Sequence, residues 1–558
     1  MAQLNRANGA PRWLVRLCLS FLLFAVAYPA FWLLLRSFAT SAWSLTMENW
    51  KEASGLPYVG RAFRNTLIIA GLSSPIAVAA GAILALVSAR MACGCRFLVR
   101  LAALSPLAAS QTLTALAWLL LAEPGGGLLN VLLEGGGFPR LNILSLGGMV
   151  FLTIILSLPV AFLILEGVLF SYDSHLEEQA FLCGAGRVRT LCRVVFPLAL
   201  PGIAAAGLLC FLFSSLMFSV QGIIGLPANI WTVTNLLYTA WSLRLADTGA
   251  TIALASGLLM LGALLALLQR RLLSGRSYYV VTGSGKAAPA WRLGFAGRCC
   301  LAAGIGGLLI ITTLLPYGAL LLRSLAPYSF QVHGGFWEAA RGFGLDAYSN
   351  VFKDAALLRG LGHSLLLSLL AAGACCLLSF CAGHVVFRGR SGKKTLIEAL
   401  CMLPLALSGV LIGIGFIYAF SAPLPLNGTL WILLLAYVVR ELPFGFSAAR
   451  VFFAQIHPEL EEAALLCGAS WGSVARRILW PLAKPLAAAA GALIFLASYR
   501  ELEASVFLSG PGTEVFGYNV FSYLQIGATR EVSAMAVLAA ALCLSGVWVW
   551  YAALSVRR

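Results

Sequence analysis

Charged residues make up only 11% of the 558-residue chain, against about 25% in ordinary soluble domains. A soluble globular protein is excluded, because its surface could not be covered. Acidic residues are the scarcer sign, 21 Asp and Glu against 38 Lys and Arg, which leaves a net charge of +17. Histidine occurs five times, without the H-E-x-x-H spacing of a zinc peptidase. The 14 cysteines include no C-x-x-C pair, and most sit in apolar runs, as Cys375-Cys376 does, where Cys behaves as a small hydrophobe. No resident metal or other cofactor is expected. What the chain does have is apolar length: 60% of it is hydrophobic, its mean hydropathy is +0.91, and its apolar runs reach the roughly 20 residues that cross a hydrocarbon core.

These runs cover approximately 14–36, 66–89, 101–121, 145–169, 198–223, 248–269, 299–322, 361–387, 396–420, 429–449, 482–507 and 532–555. The expected fold is an all-α polytopic membrane protein with about twelve spans. The first run follows Arg6, Arg12 and Arg16 and lacks a small-residue cleavage site, so it reads as a retained helix. With the N-terminus placed in the cytoplasm, 25 of the Lys and Arg fall inside, 11 outside and two, Arg440 and Arg500, within spans. This bias follows the positive-inside rule. It puts both termini in the cytoplasm and assigns the basic excess to retained loops of an inner-membrane protein, in contact with lipid and not with nucleic acid.

The chain also repeats itself. At an offset of 298, Trp50, Pro106, Leu107, Ala108 and Ser110 match Tyr348, Pro404, Leu405, Ala406 and Ser408. At an offset of 284, Pro159, Glu177, Glu178, Ala180, Gly184, Arg193 and Pro197 match Pro443, Glu461, Glu462, Ala464, Gly468, Arg477 and Pro481. The change of offset falls in the Gly-rich loop around Pro124–Gly137, where an insertion is tolerated. Two halves are therefore expected, 1–275 and 297–558, joined by a cytoplasmic linker at 276–296. Six spans per copy make the repeats parallel, with a route between them. Gly283-Ser284-Gly285-Lys286 in the linker is not a phosphate loop, which would need Gly at Val280 and Ser or Thr at Ala287. No ATPase site and no catalytic residue is expected.

One duplicated motif stands out within the repeat: Glu178-Gln179-Ala180-x-x-x-Gly184 with Pro197 downstream, and Glu462-Ala463-Ala464-x-x-x-Gly468 with Pro481. The cytoplasmic loops that hold them cover about 170–197 and 450–481. Ser174 with Glu177 forms a capping box and Pro458 suits a first helical turn, so each motif is expected to form a short helix on the cytoplasmic face. Small residues let such a helix sit close in a partner's groove, and Pro197 and Pro481 are expected to mark the turn back into the membrane.

The pattern resembles the signature of binding-protein-dependent ABC importer permeases. That resemblance implies two copies of a separate cytoplasmic ABC ATPase that consume ATP, each gripping one of these helices, and a periplasmic substrate-binding protein that delivers cargo. Residues Thr40–Gly60 and Ala326–Gly360 are long enough to contribute to the binding protein's docking surface.

The second half carries five charges well inside its predicted spans, each costing about 2.5–3.5 kcal/mol on insertion scales. Arg440 and Glu441 interrupt the tenth, and Arg500, Glu501 and Glu503 lie late in the eleventh. Their counterparts are the uncharged Leu156, Ser157, Leu216, Met217 and Ser219. Arg500 and Glu503 would share a helix face at i, i+3. The charges either lock helices as ion pairs or line the translocation path. The run Arg500-Glu501-Leu502 before Pro511-Gly512-Thr513 is similar to fused ferric-iron importer permeases, although Glu503 stands where that family often has Pro. The resemblance implies ferric iron as cargo, with thiamine, polyamine or aminoethylphosphonate permeases sharing the broader architecture. A secondary transporter driven by an ion gradient is the alternative from another class, and it leaves the duplicated motif unexplained.

Overall fold

The computed structural model describes residues 11–39, 44–90, 93–108, 110–170, 175–242, 249–274, 294–326, 342–389, 392–421 and 425–555. The linker at 276–296, Ser174 of the expected capping box, and parts of the two external segments lie wholly or largely outside these residues. Apolar length dictates the architecture, since a backbone in lipid must satisfy its own hydrogen bonds and does so as helix.

Among the described residues nine helices are long and apolar enough to cross a membrane: α1 (Arg12–Ser37), α3 (Val59–Arg90), α7 (Leu146–Phe170), α9 (Val188–Leu216), α11 (Gly249–Gln269, continuing to Ser274), α12 (Phe295–Leu325), α14 (Ala355–Arg388), α17 (Leu430–Gln455) and α19 (Trp471–Tyr499). Two further runs form bent pairs. Arg96–Leu107 (α4) meets α5 (Gln111–Ala122) at 91°, and α15 (Lys394–Ala406) meets α16 (Gly409–Ala419) at 112°. The last run is α22 (Thr529–Ser555).

Shorter helices connect them. These are α2 (Glu48–Gly55), α6 (Leu128–Gly135), α8 (His175–Leu182), α10 (Val233–Ser242), α13 (Asp346–Lys353), α18 (Glu459–Leu466), α20 (Ser505–Leu508) and α21 (Phe516–Gln525). The bends correct the expectation of one straight span each at 101–121 and 396–420. Pro106 and Pro404 precede them, and beyond the second bend Ser408 Oγ accepts from the Leu411 N–H at 3.2 Å to restart the helix.

Proline also explains where helices widen. The five described π-turn segments, Leu23–Ala27, Leu191–Val195, Gln221–Gly225, Ile310–Leu314 and Ala475–Leu479, each end two residues before a proline: Pro29, Pro197, Pro227, Pro316 and Pro481. A proline ring collides with the carbonyl four residues back and lacks an N–H. The wider turn accommodates both, and at Pro29, Pro197, Pro316 and Pro481 the helix continues, whereas after Gln221–Gly225 it ends in a turn. Pro197 and Pro481 therefore lie inside α9 and α19 and not at a turn between helices, since those helices already begin at Val188 and Trp471.

Each half is built on a three-helix bundle, α3 with α7 and α9, and α14 with α17 and α19. The helices touch where small residues meet. A Cβ on Gly81 of α3 would lie 2.9 Å from the Ala161 Cβ of α7, and one on Gly445 of α17 would lie 2.4 Å from the Ser379 Oγ of α14. These are matching crossings with the glycine on opposite partners, and both permit close backbone approach. A matching ion pair is likewise inverted. Arg100 Nε lies 2.7 Å from Glu166 Oε1, and in the other half Arg450 Nη1 lies 3.6 Å from Glu398 Oε1. The positions correspond, and the signs are exchanged.

The first helix of each half crosses to the other. Leu14, Cys18, Leu22, Ala25 and Val26 of α1 join a core with Leu367, Ile397, Ile412 and Phe416, while α12 packs on α4 and α5.

Candidate coupling and translocation sites

Helices α8 and α18 stop in the same way. The Ala185 N–H returns to the Ala180 carbonyl and the Gly184 N–H to the Phe181 carbonyl, at 3.0 and 2.9 Å. In the second copy Ala469 and Gly468 make the same bonds to Ala464 and Leu465, at 3.1 and 3.0 Å. Gly184 has φ +79° and Gly468 φ +83°. This is a Schellman stop, in which the residue past the helix end must be left-handed. The motif glycine therefore ends the helix, a role beyond the close packing expected of it.

The adjacent glutamates divide their work. Glu178 and Glu462, singled out from the motif, face solvent, and Glu178 lies 3.3 Å from His175 Nδ1. Glu177 and Glu461, one residue earlier, turn inward. Glu177 pairs with Arg90 at the end of α3, with side chains 6% and 3% exposed. Glu461 takes Arg388 Nε at 2.8 Å and His384 Nε2 at 3.2 Å from the end of α14. Burial pushes the Glu461 carboxyl up, but hydrogen bonds and charge from His384 and Arg388 outweigh it and hold the group below its ordinary value. Arg90 and Arg388 are themselves repeat partners at the 298 offset. That double coincidence of opposite charges was a signal available in the sequence.

Anchored from within, both helices present apolar side chains outward. Leu182 and Leu466 are 88% and 68% exposed, and Leu176 and Leu460 about half. Ala463 is exposed, and Ala180 and Ala464 are half-buried.

The five intramembrane charges converge on one level. Arg440 and Glu441 lie within an unbroken α17, so they do not interrupt that span. Helix α19 ends at Tyr499, and the chain from Arg500 to Ala504 is not helical. Arg500 and Glu503 therefore do not share a helix face as expected. Glu503 instead pairs with Arg440 Nη2 at 2.9 Å, and Glu501 lies 3.5 Å from Arg440 Nε. Glu501 also accepts from the Ala504 and Ser505 N–H groups at 3.0 and 3.1 Å and caps α20. Glu441 is buried on the same helix as Arg440. Among the described residues no group of three or more His, Cys, Asp or Glu side chains converges to hold a metal ion.

The geometry is that of a membrane protein with two matched surface helices, each tied by an ion pair to the end of a span. Residues 376–557 match the family of binding-protein-dependent transport system inner membrane components. A candidate 2-aminoethylphosphonate transport system permease of Salmonella paratyphi A is 31% identical over 44% of this chain and 91% of its own length. The chain belongs to that family. A candidate ferric transport system permease of Haemophilus influenzae is 28% identical over 82% of this chain and 72% of its own length. The ferric transport system permease of Actinobacillus pleuropneumoniae is 27% identical over 83% of this chain and 66% of its own length.

Proposed function

We propose that the chain is the fused membrane subunit of an ABC importer for ferric iron, with one permease half at 1–275, another at 297–558 and a cytoplasmic linker at 276–296. Two copies of a separate ATPase bind α8 and α18 and supply the energy, and this chain hydrolyses no ATP. The face bearing α8 and α18 is cytoplasmic, as are both termini, and a soluble binding protein delivers cargo to the opposite face. Alternating access between the halves carries the ion across.

One observation carries the reading: two short helices, repeat-related, end in the same Schellman stop, are held by the same buried ion pair and expose the same leucines. An amphipathic helix with an exposed apolar face and small residues suits a groove on another protein. A secondary transporter has no use for a duplicated docking helix. Iron as cargo is supported by the names of relatives that align over more than four-fifths of this chain. Aminoethylphosphonate is the second reading, favoured by the higher identity of a relative that covers less than half of it.

The test is uptake into proteoliposomes that contain this chain, the ATPase and binding protein encoded beside it, and ATP. Radioactive ferric iron on the binding protein is expected to accumulate only when the ATPase is present. Uptake without it removes the importer mechanism, and competition by aminoethylphosphonate in place of iron reassigns the cargo.

A further inference from the structure

The repeat loses its symmetry at the level of the five charges, and the asymmetry ties the halves together. Glu503 is 4% exposed, and its two oxygens accept from three donors: the Phe218 N–H at 2.9 Å, the Gly409 N–H at 3.3 Å and Arg440 Nη2 at 2.9 Å. Phe218 belongs to the other half, just past the end of α9 at Leu216, and Gly409 opens α16. The Gly409 amide is a donor left over where α16 begins, and the partial positive charge there favours a carboxylate; the Phe218 amide lies in the non-helical stretch after α9.

A Cβ at position 409 would fall 2.4 Å from Arg440 Nη1 and 2.5 Å from the Glu503 Cβ, so the glycine makes room for the ion pair. Arg500, from the same segment, donates to the Leu107 carbonyl at the bend of the first half. Both contacts run from second-half side chains to first-half backbone. At the position matching Glu503 the first half has Ser219, which lies 3.5 Å from Thr112 Oγ1 of its own half.

The Phe218 ring is fully buried. Its neighbours are Tyr238 at 5.4 Å, Phe521 at 5.8 Å and Phe507 at 6.5 Å, so the cluster draws on both halves. Tyr238 and Phe521 also line a cavity of about 330 Å³ between α10 and α21, with Trp241, Val506, Tyr518 and Gln525. These helices follow α9 and α19 on the side away from α8 and α18. An aromatic seal therefore lies between that cavity and the charged level, and the backbone of one of its rings is held by Glu503.

We propose that Glu503 is the latch of the gate on the binding-protein side: it holds the Phe218 backbone so that the aromatic seal stays shut until the ATPases drive the halves apart. This rests on the importer reading above. The latch stabilises the resting state with its outer gate closed, so removing it lets ATP be hydrolysed without cargo.

The experiment measures ATP hydrolysis and iron delivered per ATP in proteoliposomes of the intact complex, with and without loaded binding protein. Wild type must respond to loaded binding protein. If it does not, the importer reading fails independently of the latch. Glu503→Ala is expected to raise cargo-free hydrolysis about tenfold, because losing a charge-assisted bond from one of two states shifts their ratio by that order. Iron delivered per ATP is expected to fall.

Glu503→Gln, which keeps the size and one acceptor oxygen, is expected to give a smaller rise, and it decides the matter if the alanine variant does not assemble. Ser219→Ala is expected to leave both readouts at wild-type values. Cargo-free hydrolysis at the wild-type rate in the assembled Glu503 variants, a fall in both readouts together, or an equal effect of Ser219→Ala overturns the latch.

Discussion

Replacing Glu177 with alanine tests whether the buried partner, and not the exposed glutamate of the motif, holds α8 in place. Arg90 would be left 3% exposed beside a vacated site. Removing one member of a buried ion pair costs about 3–5 kcal/mol because the remaining charge is uncompensated. If that cost falls on local opening of α8, even its lower end speeds amide exchange there by roughly a hundredfold. Hydrogen exchange read by mass spectrometry across residues 177–186 gives the answer directly. Glu178→Ala is the control, since that side chain is 46% exposed and its contact to His175 lies at the surface. A surface pair of this kind is worth less than about 1 kcal/mol. Equal exchange in the two variants, or no acceleration in Glu177→Ala, refutes the anchoring argument. Glu461→Ala should behave in the same way at α18, where it strands both Arg388 and His384.

Two further perturbations follow from the same geometry. At Gly184 and Gly468 a Cβ would meet nothing within 4 Å, so within this chain the cost arises from the left-handed backbone, about 1–2 kcal/mol per residue for alanine and less for asparagine, whereas aspartate adds a charge at the docking face itself. ATPase association measured by co-purification should therefore rank wild type above the Asn pair and the Asn pair above the Ala pair, while Gly184→Asp with Gly468→Asp abolishes it; normal assembly of the Asp double variant refutes the docking role. The inverted ion pair predicts that Arg100→Glu and Glu166→Arg each lower thermal stability in detergent and that together they recover most of the loss, as the Glu398–Arg450 pair shows the exchanged signs are compatible with the fold. A double variant no better than the worse single one refutes that equivalence.

The spans were readable because an apolar run of about 20 residues has few other uses, and the repeat because twelve such runs carry the same punctuation twice. The bends were not readable from hydropathy, since α4 and α5 are both apolar and only the paired Pro106 and Pro404 hint at a break. The glutamates show the limit most clearly. A motif comparison selects Glu178 and Glu462, although Glu177 and Glu461 recur equally and with Arg90 and Arg388; the recurrence marks a candidate pair, but which glutamate is buried against it is set by helix rotation in three dimensions. The intramembrane charges were legible as an asymmetry, but their pairing was not, because nothing local announces that α19 ends at Tyr499.

The exchange of the opening helices has a consequence for biogenesis. The apolar stripe of α1 finds its partners near residues 367 and 397–416. At about 5–20 residues per second, synthesis takes roughly 20–80 s to reach them. Throughout that interval the earliest inserted helix has lipid, or an insertion factor, where its permanent neighbour will be. The packing of this stripe on the second half therefore waits on ribosome transit, and not on the encounter of two free subunits, even though the bundle of α3, α7 and α9 can form earlier.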